Sequence, residues 1–178
     1  MGEMAMPDLR KRIEESENPL QELMSSIPGF DGYRDRQIRR KADAMVREHL
    51  VGLLDGIRGD LDKAIERWSR TKGLPGLDDF DGVRGPLGKV RDTLRFADYG
   101  YTGWFDAVKI KEAELDALYQ YDLGLKQQIA DVGAAIQALG GADESTVAGL
   151  VEAAIGAVET LQEAVDQREQ VAMRTVPE

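Results

Sequence analysis

The chain has no cysteine and a single histidine, His49. Without cysteine there is no disulfide framework, no thiolate nucleophile and no zinc–cysteine site; the absence fits a reducing compartment. One histidine cannot supply the two Glu-x-x-His pairs of a ferritin-like diiron centre, and Glu48 precedes it directly, so even one such pair is missing. Any metal site would have to be built from carboxylates, a donor set that suits Mg²⁺ or Ca²⁺. Nor is there a second histidine to act as base for a serine or threonine nucleophile. His49 borders an apolar stripe and reads as a satisfied structural histidine. No catalytic residue, metal ligand or cofactor is assigned.

Long apolar runs are also missing. None approaches the roughly 20 residues that a membrane-spanning helix needs. The opening "MGEMAMPDLRKRIEESE" lacks the basic-then-apolar order of a secretory signal. A cytoplasmic protein without a membrane span is the expectation. Arginine outnumbers lysine fifteen to eight and asparagine occurs once, which suggests a GC-rich bacterial source. The net charge of −10 argues against nucleic acid as a partner. Residues 1–71 are nearly neutral, whereas from Gln128 onwards only Arg168 and Arg174 stand against nine acids. That arm reads as an acidic, solvated face.

Loops with recognisable chemistry are scarce. "LDDFDGVRGPLG" (77–88) superficially resembles a calcium loop, but placing Gly82 sixth puts Leu77 first and Gly88 twelfth, where acids are required. "GLPG", "GVRGPLG" and "GYTG" lack the strand–loop–helix context and the Lys-Ser/Thr of a phosphate loop.

What is present is helix. Hydrophobic residues make up 42% of the chain, enough to bury a core, and six prolines leave long stretches uninterrupted. Short helices are expected from Pro7 to about Glu17 and from Pro19 to Ser26, the second capped by Asn18. "IPGFDG" (27–32) breaks the chain. From Tyr33 to about Thr71, Ile38, Ala42, Met45, Val46, Leu50, Leu53, Ile57, Leu61, Ala64, Ile65 and Trp68 draw one apolar stripe. Gly52, Gly56 and Gly59 interrupt it, marking a close neighbour, a bend or mere tolerance.

"KGLPGLDDFDG" (72–82) reads as a second break, followed by a helix to Asp98 with Pro86 in its first turn or at a kink. Two more helices span about Lys111–Leu139 and Glu144–Met173, separated by a glycine stop and an Asp or Ser cap in "GGADES" (140–145). The fold class is therefore all-α: a four-helix antiparallel bundle (33–178) with one very long helix and a helical N-terminal arm (1–32).

Two clusters are candidates for binding. Arg34, Arg36, Arg39, Arg40 and Lys41 open the long helix, where positive charge opposes the macrodipole. Either Asp31, Asp35 and Asp43 neutralise them locally, or Arg34, Arg39 and Arg40 form an anion or acidic-partner site.

The second cluster is "RFADYGYTGWFD" (95–106), which holds five of the eleven aromatics. Asp98 and Asp122 continue the apolar stripes of their helices, and a core-side carboxylate needs a partner. Arg95, a nearby tyrosine hydroxyl and the basic cluster are the candidates. The stretch is either a packed plug, with Phe96 and Phe105 inside, or a recognition surface built on Arg95, Tyr99, Tyr101 and Trp104. The expected function is a non-enzymatic interaction or scaffold protein with an unidentified protein partner. It is also a possible homodimer through Gly52 and Gly56. The alternatives are a small-molecule or anion-binding sensor and, behind it, an enzyme with a carboxylate-based site.

Overall fold

The computed structural model describes residues 19–30, 39–73, 75–97 and 112–174. These are all-helical, with five helices and no strand. They are α1 (Pro19–Ser26), α2 (Arg39–Lys72), α3 (Leu77–Phe96), α4 (Glu112–Leu139) and α5 (Val147–Arg174). No described helix is long and apolar enough to cross a membrane. The helix expected over 7–17 and the start of the long helix at 33–38 lie outside the described residues.

Apolar spacing builds the core. Leu50, Leu54 and Leu61 of α2, Val83, Leu87, Val90 and Leu94 of α3, Leu118, Leu125, Ile129, Val132 and Ile136 of α4, and Ala154, Val158, Leu161 and Val165 of α5 are all buried. The stripe on α2 departs from expectation: Leu54 is buried at 1% exposure and Val51 at 6%, while Leu53 faces out at 36%. With leucine at both i+3 and i+4 from Leu50, spacing alone does not choose between them.

Each long helix packs on two others, in the cyclic order α2, α3, α5, α4. Chain directions follow from the residues that meet. Asp55 pairs with Arg91 and Asp62 with Arg84, so α2 and α3 are antiparallel. Ile57 reaches Gly133 and Arg67 reaches the Gly140 carbonyl, so α2 and α4 run parallel. Gly82 meets Ile155, and Gly85 to Lys89 lie beside Val158 to Glu163, so α3 and α5 also run parallel. The molecule is thus two antiparallel hairpins, α2–α3 and α4–α5, laid side by side in the same sense. Antiparallel packing holds within each hairpin and not between them, where the sequence suggested it throughout.

The first hairpin closes on Trp68. Its indole N–H donates to the Pro75 carbonyl (2.8 Å) and its ring tilts against Phe80 at 5.8 Å. Gly73 and Gly76 take left-handed φ values of 80° and 81°, and a Cβ on Gly76 would lie 3.3 Å from the Trp68 ring. α3 starts at Leu77, inside the stretch expected to be a break, because Asp78 and Asp79 sit in its first turn and favour the dipole. Pro86 is consequently in the helix interior rather than its first turn.

The second hairpin turns through Gly140 and Gly141, and Asp143 caps the approach to α5. Its Oδ1 accepts from the backbone N–H of Ser145 (2.9 Å) and of Thr146 (2.9 Å) and from both hydroxyls. Among the described residues nothing lies within 4 Å of the Gly52, Gly56 and Gly59 positions, and α2 continues unbroken through them. α1 packs on α4, with Leu23, Ile27 and Phe30 buried and Phe30 edge-on to Tyr119 at 6.4 Å.

Candidate functional site

At one end of the bundle the start of α2, the end of α3, the start of α4 and the end of α5 converge on four buried charges. Asp43 and Arg47 come from α2, Asp122 from α4 and Arg168 from α5, none more than 5% exposed. Asp43 and Arg47 are four residues apart and therefore stack on one helix face, where Arg47 Nε donates to Asp43 Oδ2 at 2.7 Å. Arg168 grips Asp122 with two hydrogen bonds, Nε to Oδ1 at 2.6 Å and Nη2 to Oδ2 at 3.1 Å. Arg168 Nη1 then lies 2.9 Å from Asp43 Oδ1 and joins the two pairs. This last contact is a charge contact that is not aligned as a hydrogen bond.

Arg47 Nη1 also lies 3.4 Å from the carbonyls of Leu94 and Arg95, the last turn of α3. Next to the cluster, the buried Tyr121 hydroxyl donates to the Ala164 carbonyl at 2.6 Å. Two guanidiniums and two carboxylates sum to no net charge, which is what lets four ions leave water together.

The structure therefore reassigns two expected roles. The described partner of Asp122 is Arg168, not Arg95, whose Nη2 instead reaches Asp55 Oδ2 at 3.2 Å on the exposed α2–α3 seam. Asp43 does not neutralise the basic helix start. It points inward to Arg47 and Arg168. Arg168 had looked like a surface charge in an acidic arm. Its position was nevertheless legible, because Ala154, Val158, Leu161, Val165 and Arg168 continue one spacing of three and four residues.

Of the other candidates, Asp98, Tyr99, Tyr101, Trp104 and Arg34 lie outside the described residues, as do the side chains of Arg39 and Arg40. Phe96, expected inside a plug, is 65% exposed at the end of α3. The segment 77–88, refused as a calcium loop, is helical. His49 Nε2 is buried without a hydrogen-bond partner, which differs from the satisfied histidine expected. Burial, and then the Lys126 charge, push its pKa below the ordinary value of 6.5.

Among the described residues, no three His, Asp or Glu side chains converge to hold a metal ion. A surface groove of about 590 Å³ runs between α3 and α5, where Gly85 contributes no side chain; Pro86, Lys89, Glu159 and Glu163 are among its walls.

No protein-family model matches the chain, and comparison with curated proteins and with solved structures gives no match either.

Proposed function

We propose that this chain is a non-enzymatic helical interaction or scaffold protein, which binds a protein partner through its helix faces and the aromatic stretch 95–106. The observation that carries the reading is Phe96. It is a large apolar ring left 65% exposed on the last turn of α3, next to an arginine tethered to Asp55. Aromatic and arginine side chains dominate binding hot spots, and a tethered guanidinium loses little freedom on docking. The buried charges, Asp122 among them, are by contrast engaged inside the bundle.

In this reading residues 33–178 form the four-helix bundle domain and 1–32 its helical arm, working in the bacterial cytoplasm. The face carrying Gly52 and Gly56, with Leu53 36% exposed beside them, is where two copies meet as a homodimer.

The test uses the wild-type chain and a Phe96→Ser variant as paired baits, with captured proteins quantified by mass spectrometry. A protein held by the wild type and lost from a variant of unchanged melting temperature supports the reading. Identical captures from the two baits remove it.

A further inference from the structure

The two hairpins face each other mainly through Leu, Val, Ile and Ala side chains spaced three and four residues apart. Surfaces of this kind are nearly degenerate along their axis. Sliding one hairpin by a helical turn, about 5.4 Å, sets apolar rows against apolar rows again. Within each hairpin the short turns at 73–76 and 140–146 hold the register, whereas the hairpins are joined by fifteen residues, 97–111, a length of chain that does not by itself set one axial alignment.

Among the described residues, one buried charge contact crosses from hairpin to hairpin: Arg168 Nη1 on Asp43 Oδ1 at 2.9 Å, with side chains 1% and 2% exposed. Two exposed contacts also cross, Arg67 to the Gly140 carbonyl and Lys72 to Glu144, but water replaces such contacts at little cost.

Asp43 and Arg168 each have a partner within their own hairpin, Arg47 and Asp122 respectively. A slipped alignment would keep both pairs intact. It would also bury each pair against apolar rows, without the compensation that the other supplies. Desolvated ions are the groups for which such a loss weighs most.

We infer that the Asp43–Arg168 contact is the register key of the bundle: it selects the axial alignment of α2–α3 against α4–α5, which the apolar rows leave open. Its contribution is selectivity among alignments rather than net stability. A single buried polar residue fixes register in coiled coils on the same grounds.

The absence of native cysteine allows a clean test by disulfide trapping. Gly133 on α4 faces Ile57 on α2, whose Cδ1 lies 3.4 Å from where a Cβ at 133 would stand. The pair Ile57→Cys with Gly133→Cys reports the native alignment. Ile57→Cys with Gln137→Cys, one turn further on, reports a slip.

In the native background only the first pair should close under mild oxidation. With Asp43→Leu, Arg47→Met, Asp122→Leu and Arg168→Met introduced together, both pairs should close to comparable extents. A folded quadruple variant that still closes only the native pair overturns the inference. Should the quadruple variant not fold, Asp43→Asn decides, since it keeps the Arg168–Asp122 pair and the volume of the site. The slipped disulfide must then appear in it. An Asp43→Asn protein that is folded with native closure alone, or that does not fold, overturns the inference equally.

Discussion

Arg168 and Asp122 face each other across α4 and α5 through two hydrogen bonds, with side chains 1% and 0% exposed. Removing Arg168 takes from Asp122 and Asp43 the guanidinium that both contact inside the bundle. Arg168→Met should therefore cost about 3–5 kcal/mol of stability. Urea unfolding of the variant measures it, and a loss of less than about 1 kcal/mol would mean that water reaches Asp122.

Asp143 should give a second signature, in acid. Hydrogen bonds from the side chain of Ser145, then from the side chain of Thr146 and from the backbone, hold its pKa down to about 2 against an ordinary 3.8. The folded state thus binds this proton less readily than the unfolded chain. The stabilisation is complete above 3.8 and disappears as the pH falls through about 2. Melting temperatures of the wild type and Asp143→Ala should differ at neutral pH and converge at the acid end. A constant gap would show that the capping oxygen does not titrate as described.

The lowered pKa of His49 acts in a different window. Burial disfavours its charged form, so the unfolded chain takes up the proton first, near 6.5. Stability contributed by this group is present above 6.5 and is lost as the pH falls below that value. His49→Gln should flatten that part of the pH profile. An unchanged slope would assign the pH dependence to other groups.

Two phenylalanines should separate core from surface. Phe80 is fully buried against Trp68, and Phe80→Ala should cost about 3–5 kcal/mol as large core deletions do. Phe96 is mostly exposed, and Phe96→Ser should stay within about 0.5 kcal/mol of the wild type. Equal losses at both positions would place Phe96 in the core and remove its candidacy as a binding residue.

Gly52→Leu separates assembly from folding. A side chain at 52 meets open space, and leucine is the better helix former by somewhat under 1 kcal/mol. The variant should be at least as stable as the wild type and more monomeric in light scattering. A wild type that is already monomeric at high micromolar concentration would exclude the dimer.

Much of the architecture was legible because helical periodicity survives at the level of single residues. Pro19–Ser26, the end of α4 at Leu139 and the Asp143 cap fall where spacing and capping chemistry put them. The start of α3 was not legible. "LPGLDDFDG" is rich in breakers, which mask the favourable first-turn acids Asp78 and Asp79, and the packing of Phe80 on Trp68 accompanies a helix that already begins at Leu77.

Asp122 was found because it sits on an apolar stripe. Asp43 and Arg47 lie on such a stripe with Leu50 and Leu54, as Arg168 does on its own, but the residue type alone does not reveal that a charge at such a position is buried. Which acid meets which base is a matter of helix order around the bundle. No spacing within one helix encodes that order.

The division into two hairpins also bears on how the chain reaches its native state. Each hairpin is closed by a short turn, so its contacts are local and its closure falls among the fast events of folding. Docking one hairpin on the other brings together residues as distant in sequence as Asp43 and Arg168, and it must strip water from four ions before their attraction is recovered. Docking is accordingly expected to follow hairpin closure, and Trp68, whose indole N–H donates to the Pro75 carbonyl within the first hairpin, is a probe placed to follow that closure.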